Sequence, residues 1–290
     1  MPVIEVRDVR KYYGGESRGG VENLSFEVEK GGEIYGFLGP NGAGKTTTVK
    51  ILVKIIKDYT GGDVKVFGKK LEEWGGKDYY NKIGVSFEFP AVYSRLTALE
   101  NLEFFASFYS KHLDPMEALK LVGLDKESDK LVSGFSKGMK KKLDLARALL
   151  PDPEILFLDE PLEGLDPASA RRAKDLFLEL RDAGKTIFLT THNMYVADEL
   201  CDRVAFIVDG AVRLVDNPGE LKIRMGGKRL VRVEYVAAGD VSVKEFSIEG
   251  IGRNEEFLDI LRNHEVRRIN TEEPTLEEIF LKVTGGRRLV

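Results

Sequence analysis

The chain has 290 residues, with 44 Lys and Arg against 48 Asp and Glu, one cysteine and three histidines; at about 100–200 residues per domain this is one large domain, or one domain with a small appendage. A net charge of −4 offers no overall basic field for nucleic acid, Cys201 has no partner for a disulfide, and the strongly apolar stretches Ile155–Leu158 and Val204–Val208 fall far short of the ~18 residues a bilayer span needs. The opening MPVIEVRDVRKYY alternates charge with apolar residues, unlike the apolar block of a signal peptide, so a cytosolic globular protein is expected.

Taken in chain order, Val3–Val9 and Leu24–Val28 alternate apolar and charged residues and predict half-buried strands, with GGESRGG between them as a mobile turn. Glu33–Leu38 predicts a strand ending at Gly39, where GPNGAGKTTT runs straight into VKILVKIIK, an apolar pattern of helical period. From about Thr97 to Leu150, LENLEFFASFYS, MEALKLVGL and KKKLDLARALL carry apolar residues three and four apart and predict helices. Ile155–Leu158 predicts a fully buried strand. Asp166 and Pro167 predict an N-cap followed by proline at the first position of a helix that runs to Gly184. Thr186–Thr190, Arg203–Val208 and Ala211–Val215 predict further strands, and the alternation argues an α/β fold with a mainly parallel sheet and a helical insertion.

Past Asn217-Pro218-Gly219 the character changes. LVRVEYV and VKEFSIEG predict strands, and NEEFLDILRN and TLEEIFLKVTGG predict helices, giving a small βαβ-like α+β tail of about 70 residues. The Pro-Gly pair marks the seam, so two domains are expected, 1–216 with its helical part at about 89–150, and 217–290. Composition adds one oddity: no glutamine occurs anywhere, beside 32% charged residues. Loss of thermolabile side chains with Lys and Glu enrichment marks heat-adapted proteins, so heat adaptation is expected.

Gly39-Pro40-Asn41-Gly42-Ala43-Gly44-Lys45-Thr46, followed by Thr47, places four residues between two glycines ahead of Lys-Thr. Such a loop curls its backbone N–H groups toward phosphate oxygens, and the helix that follows adds its positive end. Lys45 is then the candidate for the β- and γ-phosphates, and the Thr46 hydroxyl for Mg²⁺. ILFLDE supplies the carboxylate such a site needs. Adjacent residues on a strand point to opposite sides, so Asp159 and Glu160 should differ in task. Asp159 is the candidate for Mg²⁺ and Glu160 for the base that acts on the attacking water; the alternative is a pair of solvated strand-end charges.

With FSKGM, KKKLDLARALL, DPEILFLDEP, GLDP and TTH in order, about the first 215 positions resemble the nucleotide-binding subunits of ATP-binding-cassette (ABC) transporters. The resemblance implies a P-loop NTPase core with an N-terminal antiparallel β subdomain, ATP and Mg²⁺ as ligands, and hydrolysis of ATP. It assigns Ser136, Lys137, Gly138 and Met139 to the signature that serves the ATP of an opposite subunit, so two chains would clamp two nucleotides. His192 matches the switch histidine that acts with Glu160. Asp166 matches the loop that communicates between subunits, though as an N-cap it has a structural task as well. Tyr13, or Tyr12 in its place, matches the aromatic residue that stacks on adenine; a core tyrosine at a strand end is the alternative. Lys140, Lys141 and Lys142 read as a solvated face rather than as phosphate ligands.

This chain departs from the family pattern at several positions. Glu88 stands where a glutamine usually touches Mg²⁺ and senses the membrane partner, Met139 replaces the signature glutamine, Lys137 replaces a glycine, and Glu163 stands where a small polar residue is usual. The membrane partner would be a separate integral permease docking at Phe89–Tyr93, Leu96 and the LENLEFF helix, unless those residues form the insertion's own core. The chain would then sit at the cytoplasmic face of the membrane. LTALENLEFFASFY and TLEEIFLKVTGG resemble the exporters of drugs, sodium or polysaccharide. The alternative is a soluble ABC-type ATPase of ribosomes or chromosomes, disfavoured because only 91 positions separate Lys45 from Ser136 without a sustained heptad pattern. A carboxylate at position 88 adds negative charge beside the γ-phosphate. Glu88→Gln is therefore expected to alter the Mg²⁺ dependence of ATP hydrolysis, and unchanged kinetics across a Mg²⁺ titration would refute a role for Glu88.

Overall fold

A computed structural model describes residues 1–13, 20–225, 230–237, 239–272 and 274–285. Most of the turn expected at GGESRGG, residues 14–19, lies outside the described residues. Two compact units meet at the bond between Asn217 and Pro218. Among the described residues no helix is long and apolar enough to cross a membrane.

The first unit opens with β1 (Pro2–Tyr12) and β2 (Gly20–Glu29), whose alternation of buried and exposed residues follows the alternation of the sequence. The wholly buried β3 (Ile34–Leu38) leads through the phosphate loop into α1 (Lys45–Leu52). β4 (Asp63–Val66), β5 (Lys69–Lys70) and α2 (Gly76–Tyr80) fill a stretch in which no element is expected from sequence. β6 (Ile83–Ser86) then precedes the insertion α3 (Ala98–Ala106), α4 (Pro115–Leu121) and α5 (Lys137–Leu149). The remainder runs β7 (Ile155–Asp159), α6 (Pro167–Asp182), β8 (Thr186–Thr191), α7 (Met194–Leu200), β9 (Arg203–Val208) and β10 (Ala211–Asp216).

Two sheets result. β2, β1, β4 and β5 form an antiparallel sheet, and the main sheet has the order β10-β9-β3-β8-β7-β6 with only the β9–β10 edge antiparallel. Strands β3, β7 and β8 are buried at every position, as expected of parallel strands covered on both faces. A ring cluster of Phe26, Tyr35, Phe37 and Phe188, with centroids 5.3–5.9 Å apart, binds the antiparallel sheet to the main one. Helix starts follow local chemistry. Thr97 and Glu100 close a capping box on α3, and Asp166 Oδ1 accepts from the N–H groups of Ala168 and Ser169 at the start of α6.

The second unit comprises α8 (Pro218–Met225), β11 (Leu230–Ala237), β12 (Asp240–Ser247), α9 (Glu255–Asn263), β13 (Glu265–Glu272) and α10 (Leu276–Val283). Its strands lie in the order β12-β11-β13, both neighbours antiparallel to β11, so the expected βαβ-like pattern takes a split form in which β11 separates the strands joined by α9. β13 is not expected from sequence, because Val266 and Ile269 are three apart and break a period of two. A bulge at Arg267 restores the face: Val266 pairs with Tyr235 and Ile269 with Val233. Val231, Val233 and Phe246 pack there with Phe257 and Ile260 of α9.

The contact between α5 and β6 depends on Gly84, where an added Cβ would lie 2.0 Å from the Ala148 carbonyl oxygen and 2.7 Å from Leu156 Cδ1. Gly84→Ala is accordingly expected to lower unfolding free energy by about 1–3 kcal/mol, measured by denaturant unfolding.

Candidate nucleotide site

Four neighbouring parallel strands deliver the site at their carboxyl ends, the edge where open α/β sheets bind ligands. β3 runs into the phosphate loop, β8 into Thr190, Thr191 and His192, β7 into Asp159 and Glu160, and β6 toward Glu88. The registers align these ends, with Leu38 opposite Thr191, Asp159 opposite Thr190, and Ser86 opposite Leu158. A cavity of about 500 Å³ opens there, lined by Tyr13, Gly20, Pro40, Asn41, Gly42, Gly44, Lys45, Thr46, Thr47, Glu88 and Glu160. Gly44 has φ of +107°, and a Cβ would lie 2.5 Å from the Gly20 carbonyl oxygen, so only glycine closes the loop onto α1.

Lys45 is 7% exposed. Its Nζ donates to the carbonyls of Gly39 at 2.7 Å and Pro40 at 3.3 Å, and lies 3.5 Å from Glu160 Oε1. Burial pulls its ammonium below the usual lysine range, an effect that Glu160 partly offsets. An ammonium held by two carbonyls at the mouth of a phosphate loop is ready to exchange them for phosphate oxygens. Thr46 Oγ1 donates to Asp159 Oδ2 at 2.8 Å, and Thr190 Oγ1 donates to Asp159 Oδ1. A hydroxyl and a carboxylate so close form a hard-oxygen pair suited to Mg²⁺. Among the described residues no group of three His, Cys, Asp or Glu side chains could hold a metal ion.

Glu160 is 8% exposed and has φ of +47°, a left-handed backbone that is costly for a residue with a Cβ. The turn aims its carboxylate away from Asp159. Oε2 accepts from Thr191 Oγ1 at 2.9 Å, and Oε1 faces His192 Nδ1 at 2.9 Å. An ionised carboxylate can only accept, so Nδ1 carries a proton and donates to Glu160.

Not every expected site residue reaches this cavity. Ser136 caps α5, accepting from Met139 N at 3.2 Å, and none of Ser136, Lys137, Gly138 and Met139 lines the phosphate cavity of its own chain. The signature turn instead lies by the loop after β7: an added Cβ on Gly138 would be 3.4 Å from the Gly164 carbonyl oxygen, and Lys137 Nζ lies 3.9 Å from Glu163 Oε1. Two of the departures from the family pattern thus face each other, in an exposed pair that water screens. Asp166 is the α6 cap, and hydrogen bonds from Ser169 hold its carboxyl below the usual carboxylate range. Tyr13 is 46% exposed at the cavity mouth, which removes the core-tyrosine alternative.

The basic run requires a correction. Lys140 and Lys142 are half-buried, but Lys141 is buried and donates to the carbonyls of Phe87 at 2.9 Å, Glu88 at 3.0 Å and Asp159 at 3.4 Å. Three like charges in a row look solvated. The helical period, however, turns residue 141 toward the sheet with Leu145 and Ala148. Sequence reasoning also missed the tasks of the Thr190 and Thr191 hydroxyls, although TTH displays both residues. Thr191→Val removes the hydroxyl donor of Glu160 Oε2 and leaves His192 as the remaining side-chain hydrogen-bond partner of that carboxylate, so ATP turnover should fall about tenfold or more with nucleotide binding retained, as read by steady-state hydrolysis and equilibrium binding.

Residues 21–163 match the ABC transporter family model, and residues 229–273 match the model of the fluoroquinolone efflux ABC transporter C-terminal domain. The chain is 48% identical over 285 residues to a fluoroquinolones export ATP-binding protein of Mycobacterium tuberculosis, covering 98% of this chain and 93% of the relative. It is 35% identical to the bacitracin transport ATP-binding protein BcrA of Bacillus licheniformis, covering 98% of each chain. Among solved structures, an ATP-binding subunit of an ABC transporter superposes with a TM-score of 0.68 at 28% identity, covering 77% of this chain and 92% of the other. A dimeric ATP-binding cassette bound to ADP and Pi gives a TM-score of 0.67 at 26% identity, covering 74% and 98%. With the phosphate loop, the paired carboxylates and the histidine gathered at one sheet edge, the chain belongs to the ATP-binding subunits of ABC transporters.

Proposed function

We propose that this chain hydrolyses ATP in an Mg²⁺-dependent reaction to drive a separate membrane permease that exports drug-like compounds. The observation that carries the reading is the convergence of Lys45, Thr46, Asp159, Glu160 and His192 at the carboxyl edge of one sheet. In this reading the phosphate loop and Lys45 bind the β- and γ-phosphates, and Tyr13 stacks on the adenine. Mg²⁺ would be held by Thr46 with Asp159, and with Glu88 from the facing loop, and would neutralise charge developing on the transferred phosphoryl group. Glu160 accepts the proton of the attacking water. His192 orients Glu160 through Nδ1 and presents Nε2 to the γ-phosphate side. Thr191 holds the second carboxylate oxygen, so Glu160 has one preferred orientation.

Ser136, Lys137, Gly138 and Met139, absent from the chain's own cavity, serve the ATP bound by a second nucleotide-binding subunit. Two subunits then enclose two nucleotides, with Asp166 near the junction, and hydrolysis reopens them. The permease docks on an aromatic patch. Phe89, Tyr93, Phe104 and Phe108 are 77%, 50%, 41% and 59% exposed, and Tyr93, Phe104, Phe105 and Phe108 pack ring on ring at 5.1–5.7 Å. Their exposure supports the docking reading over that of an internal core. Drug export is favoured over sodium or polysaccharide export by the names of the relatives, and cargo would be selected in the permease. Residues 217–290 act as an accessory domain of this subunit. Docking on a permease would keep the chain at the cytoplasmic face of the membrane.

Glu160→Gln should bind ATP, accumulate as an ATP-bound dimer and lose turnover, whereas Lys45→Ala should lose nucleotide binding itself. Size-exclusion chromatography with ATP, together with a phosphate-release assay, distinguishes these outcomes. Full turnover in Glu160→Gln would refute the base assignment, and co-purification with ribosomes or DNA in place of an integral membrane protein would refute the transport reading.

A further inference from the structure

We propose that Lys141 is a positioning residue, which holds the loop carrying Glu88 against the Asp159 end of β7 and so couples the aromatic patch to the site of phosphoryl transfer. The inference rests on the ATPase reading above and adds to it a residue that acts through Glu88.

A lysine ammonium has three donors and no acceptor. Lys141, 3% exposed, spends all three on main-chain carbonyls: Phe87 at 2.9 Å and Glu88 at 3.0 Å on one segment, Asp159 at 3.4 Å on another. Burying an ammonium is costly unless its hydrogen bonds are satisfied, and here the return is a fixed distance between two segments that carry site carboxylates. Burial lowers the affinity of Lys141 for its proton, while Asp144, Asp159 and Glu88 act in the opposite direction.

The hold on this loop is double. Asp144 lies three residues beyond Lys141 on the same face of α5 and is wholly buried. Its Oδ2 accepts from Ser86 Oγ at 2.7 Å and its Oδ1 from Ala91 N at 3.0 Å. One further step along, Arg147 donates to Asp144 Oδ1 at 2.8 Å and to the Val85 carbonyl at 3.0 Å. The cation of Lys141 thus takes the carbonyls at the middle of the loop, the Asp144 anion takes donors from its two ends, and Arg147 secures both Asp144 and the strand before it. The Arg147 guanidinium also stands 5.1 Å over the Phe105 ring, which stacks on Tyr93 at 5.7 Å. A connected chain of contacts thus runs from the exposed rings through Phe105, Arg147 and Asp144 to the loop that carries Glu88, and in this proposal it is the route of coupling.

The test is a double-mutant cycle on the full chain, with Lys141→Met, Glu88→Ala and the pair, reading kcat, KM for ATP and the Mg²⁺ concentration at half-maximal rate. Lys141→Met should lower kcat about tenfold with KM for ATP changed less than about twofold, as expected for loss of hydrogen bonds made by a charged donor. It should also move the Mg²⁺ half-maximum in the same direction as Glu88→Ala. In the Glu88→Ala background Lys141→Met should have less than about a twofold further effect, because the residue it positions is gone. Multiplication of the two effects, or an unchanged kcat and Mg²⁺ half-maximum in Lys141→Met, overturns the proposal. If Lys141→Met fails to fold, Lys141→Gln, which keeps two amide donors, enters the same cycle and is judged by the same non-additivity. A wild-type chain without ATPase activity would instead sink the reading on which the proposal rests.

Discussion

The constraint on which this structure depends is the burial of opposite charges at one edge of a parallel sheet. Lys45, Lys141, Asp144, Asp159 and Glu160 are each at most 8% exposed. Isolated, any of them would be costly to bury, and each is instead held by several partners. Asp159 is met by two threonine hydroxyls, Glu160 by Thr191 and His192, and both lysines by main-chain carbonyls. The cost is borne by a sheet whose central strands are wholly buried along their length, so the polar edge is supported from below.

The same constraint explains how the carboxylates divide their tasks. Asp159 continues β7 in extended form and faces Thr46 of the phosphate loop. Glu160 leaves the strand in a left-handed turn, and its strain is offset by the N–H bond to the Thr190 carbonyl and by the two side-chain partners of its carboxylate. One residue of sequence separates a carboxylate that faces Thr46 from one that faces His192. Glu88 approaches from a third strand, β6, and its position depends on side chains of α5 more than on the sheet. The helical insertion is therefore part of the site's framework as well as the proposed surface for a membrane partner.

The phosphate loop, the Asp-Glu pair and the Thr-Thr-His segment are legible from sequence because each sits where a strand of continuous apolar character stops, and that transition is local. The start of α6 is legible for the same reason: Asp166 and Pro167 form a cap whose chemistry spans four residues. β13 is hidden because its two apolar residues acquire a common face only through a bulge opposite Glu234 and Tyr235. Lys141 is hidden because a run of three lysines carries no mark of which one the helix will turn inward. The missing glutamines first suggest temperature; the structure shows that Glu88, which stands at one of their usual places, has its main chain clasped by a buried lysine.

The sequence by itself determined the order of β1 to β3, of the insertion helices and of β7 to β10, the glycine-rich loop of residues 39–47, the acidic end of β7 and membership in a family of ATP-binding subunits, because these depend on residues adjacent in the chain. Only the tertiary structure decided that Thr46 meets Asp159, that Glu160 meets His192, that the signature turn stands apart from its own chain's cavity, and that Lys141 joins two loops. Those facts depend on strand order and helix rotation, which are fixed by packing between segments many tens of residues apart, and no local pattern encodes them.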